Sequence, residues 1–179
     1  VGESPKPYQR KFCRHAHQNV RVVNRCTLLV SSVEHHGLEV AAVAVGIGRG
    51  AQQLAVEYAK DRKAFGRPIG QFQALQHRLV YAGVALEQAW LTTQMAAIAE
   101  EQGHQYIEVS SAIAKLAASK AANEAVRVGM ESMGGAGFDL EYPMQRYYRD
   151  IRLYSFAPLT DDMLANLLGE RWLELPRTF

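Results

Sequence analysis

The chain has 179 residues and a mass of 19.9 kDa, enough to bury one ordinary hydrophobic core. Apolar residues make up 48% and charged residues 21% of the sequence, so a disordered tail and a fibrous repeat are excluded. The net charge is only +2, and no stretch approaches the roughly 18 consecutive apolar residues of a membrane span. Cys13 and Cys26 form neither a disulfide framework nor a metal-ligand pattern. We therefore expect a cytoplasmic globular protein without a metal site.

The charge is unevenly distributed along the chain. Residues 1–26 contain six lysines and arginines but only one acidic residue. Aromatic and histidine side chains lie among these cations, so the segment could bind nucleic-acid phosphates and bases. It lacks hydrophobic periodicity and contains Pro5 and Pro7, which favours an irregular leader instead. We predict a basic leader over 1–26, a folded domain over 27–179, and no nucleic-acid or membrane partner.

Apolar residues downstream of Leu38 recur at three- and four-residue steps, the period of an amphipathic helix. Gly46, Gly48 and Gly50 lie inside the first such stretch, where each glycine costs about 1 kcal/mol relative to alanine. Glycines in that position predict a close approach by another helix or by a ligand. The first helix is predicted to end near Asp61.

Further helices are separated by glycine, proline and capping signals. Gly134 stops the third helix, Pro143 precedes a short one, and Thr160 is predicted to cap the last. No alternating strand pattern is present between residues 38 and 175. The fold is therefore predicted to be all-α, an antiparallel, up-and-down helical bundle of three long and two short helices. The predicted helices cover residues 38–61, about 71–101, a third through Ile113 to Met133, 144–152 and 161–173.

Two local patterns could carry chemistry. Arg62, beside Lys63 and Phe65, could be a solvated helix end or an anion clamp, because the planar guanidinium suits a diphosphate and the phenyl ring adds an aromatic face. The glycine cluster at 134–137 is not followed by a βαβ unit, so a Rossmann site is excluded and a loop is predicted.

Three sequence blocks stand in a characteristic order. They read YAKDRKAFGRPIGQFQ at 58–73, ESMGGAGF at 131–138 and EYPMQRYYRD at 141–150. The first closely resembles the signature of the acyl-CoA dehydrogenase family, and the other two resemble that family's later motifs. The resemblance covers about 38–172 and corresponds to the C-terminal helical domain of the family.

This resemblance implies α,β-dehydrogenation of an acyl thioester in fatty acid metabolism, with FAD as cofactor. The substrate would be carried on coenzyme A or on a carrier protein. Implied protein partners are a second copy, in a dimer or tetramer, or a related dehydrogenase subunit, with electron-transfer flavoprotein as a possible electron acceptor. By resemblance, the FAD-binding residues are Arg62, Phe65, Ile69, Phe72 and Gln73 towards a neighbouring subunit's FAD, Glu131 and Gly135 near its diphosphate and ribose, and Thr160 near the flavin.

The sequence departs from the family at the catalytic base. The usual catalytic glutamate is replaced by Pro158, and the alternative position on the first helix is occupied by His36. Glu34 and Glu39 are nearby carboxylates that could serve after a change of helix register, although each is typical of a solvated helix end. His36 could itself accept protons at neutral pH, or be a surface histidine. The catalytic residue is therefore left open.

Two further departures concern the cofactor. Glu131 stands where the family has glutamine, which would place a negative charge near a diphosphate unless the carboxyl is protonated or paired with a cation. Family members also carry an N-terminal helical domain and a middle β domain, and this sequence matches neither. We expect either the C-terminal domain of a flavin-dependent dehydrogenase, incomplete by itself, or a non-catalytic helical assembly subunit that has lost the base.

Overall fold

The computed structural model describes residues 36–104 and 106–177. The leader predicted at 1–26 and the candidate base Glu34 lie outside these residues. The described chain forms three long helices and three short ones, which confirms the all-α bundle. The helices are α1 (Gly37–Asp61), α2 (Gln73–Glu101), α3 (Ile107–Met133), α4 (Gly135–Phe138), α5 (Met144–Leu153) and α6 (Asp161–Arg171).

The three long helices run up and down, and α3 is the central element of the bundle. It packs against α1 and α2 along its length, and against α5 and α6 on its remaining sides. The predicted boundaries of α1, α2, α5 and α6 agree with the structure to within two residues. Thr160 caps α6 as predicted, because its Oγ1 accepts a hydrogen bond from the Met163 backbone N–H at 3.1 Å.

Two details of the sequence prediction are wrong. A small antiparallel hairpin, β1 (Lys63–Ala64) and β2 (Arg67–Pro68), joins α1 to a 3-10 turn at Ile69–Gln71. Strands of two residues are too short to show an alternating pattern, so the prediction missed them. The glycine cluster, predicted as a loop, contains the single helical turn α4.

Small side chains let the long helices approach closely. The α1 and α3 faces that meet are largely alanine, and Gly48 lies where α1 contacts both other helices. A Cβ at Gly48 would lie 2.6 Å from Leu86 Cδ2 and 3.0 Å from the Ala122 Cα. The predicted close approach is therefore confirmed at Gly48, whereas a Cβ at Gly46 would meet no atom within 4 Å.

A second, smaller cluster attaches α6 to the first half of α3. Ala112, Leu164 and Leu168 are buried there. Across the residues that the structure describes, no helix combines the length and apolar character needed to cross a membrane.

Candidate functional site

Backbone hydrogen bonds stabilise the connection between α1 and α2. The Arg62 N–H donates to the Tyr58 carbonyl at 2.8 Å, which ends α1, and the Arg62 carbonyl accepts from the Ile69 N–H at 2.8 Å. The second bond closes the base of the hairpin. Arg62 itself is exposed and lies where this loop begins.

Phe65 forms the tip of this hairpin. Phe65 and Gly66 both have positive φ, at 53° and 81°, as a two-residue type I′ turn requires. Positive φ is unusual for a bulky side chain, and the Phe65 ring is nevertheless 94% exposed. It contacts Phe72 edge to face, with ring centroids 6.2 Å apart, and the Arg67 guanidinium lies 4.2 Å from the centre of the Phe72 ring. The aromatic pair is thus held in place at the surface.

The last turn of α3 reaches the same end of the bundle. Glu131 is exposed, and both of its carboxylate oxygens accept hydrogen bonds from arginines. Arg127 donates to Oε1 at 2.5 Å, and Arg78, near the start of α2, donates to Oε2. Glu131 is therefore paired with cations, one of the two conditions under which a glutamate could lie near a diphosphate. Gly135 follows one turn later, at the start of α4.

These contacts extend into a chain of alternating charges. Arg127 also donates from Nε and Nη2 to Glu124, at 2.8 and 2.6 Å. The hydrogen bond from Arg127 lowers the pKa of the Glu124 carboxyl, against a smaller opposing effect of burial, and the charges of Arg127 and Arg78 lower it further. Arg78, Glu131, Arg127 and Glu124 thus form an ionic network with no net charge. We call residues 62–73, together with Arg78 and residues 124–135, the hairpin end.

The opposite end of α3 holds the remaining candidates. Lys115 is only 1% exposed, and its Nζ donates to the Leu159 carbonyl at 2.9 Å and to Asp161 Oδ1 at 2.7 Å. Ser119 Oγ donates to the other Asp161 oxygen at 2.9 Å. These bonds fix the backbone on either side of Thr160. We call His36, Gly37, Lys115 and residues 158–161 the Lys115 end.

Seven of the eight residues implied in FAD binding lie at the hairpin end, and Thr160 does not. Lys115 and Glu131 are sixteen residues apart on α3, which separates the two ends by about 24 Å along the helix. The Thr160 oxygen already accepts the Met163 N–H, which leaves the hydroxyl hydrogen available to donate. Because about 24 Å separates the two ends, Thr160 and the seven residues at the hairpin end cannot contact the same small group of atoms.

Of the two positions that the resemblance suggests for a catalytic base, Pro158 lines a cavity at the Lys115 end and His36 is adjacent in sequence to another lining residue. Pro158 and Gly37, the neighbour of His36, line one small cavity of about 10 Å³ together with Ser111, Ala112, Lys115, Leu159 and Leu164. No carboxylate occurs in this lining. His36 and Glu39 are exposed, at the start and in the first turn of α1. The described part of the chain contains no group of three or more residues that could hold a metal ion.

Sequence reasoning missed several residues that build these sites. The i, i+4 spacing of Arg127 and Glu131 was a usable signal for their pairing. Arg78 gave none, because it pairs with a residue 53 positions away. Lys115 occupies a buried position of α3 between Ser111 and Ala118, and a lysine on an apolar helix stripe signals a buried partner.

Comparison with known proteins identifies the family. The model of the acyl-CoA dehydrogenase C-terminal domain matches residues 27–173. Acyl-CoA dehydrogenase FadE12 of Mycobacterium tuberculosis is 39% identical over 140 residues, covering 78% of this chain and 36% of that protein. The chain therefore belongs to the acyl-CoA dehydrogenase family of flavoprotein oxidoreductases, in which it corresponds to the C-terminal domain. The chain spans about a third of the length of the curated relatives that it matches.

Solved structures show the same fold. A glutaryl-coenzyme A dehydrogenase in complex with glutaryl-CoA superposes with a TM-score of 0.78 at 28% identity, over 84% of this chain and 38% of that one. A chain from a structure of the electron transferring flavoprotein of Acidaminococcus fermentans gives a TM-score of 0.79 at 31% identity, over 82% of this chain and 38% of that one.

Proposed function

We propose that this chain supplies FAD contacts and an oligomer interface to an acyl-thioester dehydrogenase that catalyses α,β-dehydrogenation. The observation that carries the proposal is the hairpin end, where the exposed ring of Phe65 and the guanidinium of Arg62 stand on a loop pinned by hydrogen bonds. An exposed aromatic ring in a constrained turn stabilises little by itself, which favours a role in binding.

The chemistry of the hairpin end fits FAD. Arg62 and Arg67 can donate to diphosphate oxygens, and Phe65 offers an aromatic face to a flat ring system. The charge of Glu131 is paired and does not oppose a bound anion, because two arginines donate hydrogen bonds to its carboxylate oxygens. At the other end, the Thr160 hydroxyl can donate to a flavin acceptor. FAD, when bound, supplies the hydride acceptor for the β hydrogen.

Proton abstraction at the α carbon needs a base, and the described part of the chain offers no carboxylate at the two family positions. His36 precedes Gly37 and is exposed, and the titratable side chain in the lining of the cavity that Gly37 and Pro158 share is Lys115, which is bonded to Asp161. The missing carboxylate favours a second candidate function, a non-catalytic helical subunit that assembles with a related dehydrogenase. The two functions predict the same bundle and the same FAD contacts but different behaviour with substrate.

The substrate class and the electron acceptor follow the relatives. We propose an acyl thioester, on coenzyme A or on a carrier protein, as the substrate in fatty acid metabolism, and electron-transfer flavoprotein as the acceptor. The contacts that select the thioester would come from segments or subunits that supply the rest of the family's architecture.

The oligomer interface is proposed on the outer face of α2. Four apolar side chains there are between 50% and 65% exposed: Val80, Val84, Leu91 and Met95. Their spacing places them on one helical stripe. Leu79, on the same helix, is buried in the core. We expect Leu91→Lys to shift the protein from dimer or tetramer to monomer by light scattering, whereas Leu153→Lys, at a leucine on α5 that is about half exposed, leaves the mass unchanged.

The absorbance spectrum of the purified protein between about 300 and 500 nm tests the FAD proposal, since flavin absorbs in this range. Bound flavin that is lost in Arg62→Met but kept in Arg177→Met supports it. Bleaching of that flavin by an acyl thioester, once the remaining architecture is supplied, identifies a catalytic chain. Association without bleaching identifies the assembly subunit. A protein that takes up no FAD, alone or in that assembly, contradicts both.

A further inference from the structure

We propose that Arg78 and Glu131 are a compensating pair that sets the FAD affinity of the hairpin end. The inference rests on the proposed FAD contact. Glutamine at position 131 would be neutral, whereas glutamate brings a full negative charge to the surface where a diphosphate would lie. The Arg78 guanidinium cancels that charge and leaves the surface able to accept an anion.

The geometry supports a specific role for Arg78. Arg127 is committed on three nitrogens, two to Glu124 and one to Glu131. With Arg127 already balanced by Glu124, one cation is still needed to neutralise Glu131, and Arg78 is the residue that donates to its second oxygen. Of the two described residues that donate hydrogen bonds to Glu131, only Arg78 comes from another long helix.

The placement of the pair connects it to the proposed cofactor contacts. Arg78 lies five residues after Gln73, about 7 Å along α2, and Glu131 lies one turn before Gly135. The side chains of Arg78 and Glu131 are 43% and 42% exposed, so a bound anion would interact with both. Exposed ion pairs stabilise a fold by little, and this pair can therefore be changed without unfolding the bundle.

The test measures the dissociation constant of FAD by fluorescence quenching for four proteins: the wild type, Arg78→Met, Glu131→Gln and the double variant. We expect Arg78→Met to weaken binding by about tenfold or more, since it leaves a carboxylate facing the diphosphate. Glu131→Gln should stay within about threefold of the wild type, and the double variant should recover most of the loss. Arg49→Met, which breaks a comparably exposed ion pair with Glu87 between α1 and α2, is the matched control.

Three results would overturn the inference. If Arg78→Met binds FAD as the Arg49→Met control does, while Arg62→Met binds weakly, the compensating pair is wrong and the proposed function stands. If the double variant is as weak as Arg78→Met, the charge of Glu131 is not what Arg78 offsets. If the wild type and Arg62→Met both fail to bind FAD, alone and when the remaining architecture is supplied, the proposed function itself is wrong, and the inference fails with it.

Discussion

The two ends of the bundle differ in how they depart from the family pattern. At the hairpin end, the replacement of glutamine by Glu131 is accompanied by arginines that bond both carboxylate oxygens. At the Lys115 end, the resemblance places Pro158 at the position of the usual glutamate, and no described carboxylate lines the adjacent cavity. The ionic network at the proposed cofactor edge therefore has no net charge, whereas the proposed base position has no carboxylate.

The two ends also differ in how they are built. The ionic network of the hairpin end is exposed, with side-chain exposures between 42% and 48%. The ion pair of the Lys115 end joins a side chain that is 1% exposed to one that is 24% exposed. Removing one partner of a buried pair strands a charge, whereas an exposed charge is solvated by water. Breaking the Lys115–Asp161 pair should therefore destabilise the fold more than breaking an ion pair of the hairpin end.

The largest effect is expected for Lys115→Met. Removing the ammonium leaves Asp161 with only the Ser119 hydroxyl as a hydrogen-bond donor among the described residues, and it frees the Leu159 carbonyl. We expect a loss of about 3 kcal/mol in the free energy of unfolding, measured by urea denaturation. Lys120→Met, at an exposed position of the same helix, is the control. Equal unfolding midpoints for the two variants would show that the buried pair contributes no more than a surface lysine.

A smaller effect of opposite sign is expected for Phe65→Asn. Asparagine before Gly66 is the preferred pair for a type I′ turn and tolerates positive φ better than phenylalanine. We expect a gain of about 0.5–1 kcal/mol, after allowance for the lost ring contact with Phe72, and a melting temperature higher by about 2 °C. FAD binding should weaken in the same variant.

Phe65→Ala separates the two contributions, because it removes the ring but lacks the side-chain amide by which asparagine tolerates positive φ. It should weaken FAD binding to the same extent without the gain in stability. A Phe65→Asn protein that melts below the wild type would show that the turn is not strained by phenylalanine.

The smallest effect concerns the pH dependence of the exposed network. Because Arg127 lowers the pKa of Glu124, the pair stabilises the folded state above the ordinary glutamate pKa of about 4.5, and this contribution is lost as the pH falls through the lowered value. We expect Glu124→Gln to cost a few tenths of a kcal/mol near pH 7 and nothing in strong acid.

Urea denaturation of both proteins at several pH values measures this difference. High salt should reduce it, since both side chains of the pair are exposed. Glu57→Gln is the control, because Glu57 accepts its hydrogen bond from the neutral Gln53. A gap between the wild type and Glu124→Gln that stays constant down to strong acid would contradict the assignment.

Much of the fold could be predicted from the sequence because helix formation leaves a local periodic signal. Apolar residues at three- and four-residue steps gave the long helices, and Thr160 gave the start of α6. The hairpin at Phe65 was missed because two-residue strands leave no such signal. At the candidate site, the motif blocks pointed to Arg62 and Phe65, but the exposure of the ring and its contact with Phe72 depend on the folded turn.

By itself, the sequence determined the helical class, the order of the helices and the resemblance to the acyl-CoA dehydrogenase family, since all three follow from residues close together along the chain. Only the tertiary structure decided that Arg78 pairs with Glu131 and that the neighbour of His36 shares a cavity with Pro158. Contacts between residues more than fifty positions apart depend on which faces of antiparallel helices meet. Close packing of alanine and glycine, as at Gly48 between α1, α2 and α3, sets that alignment.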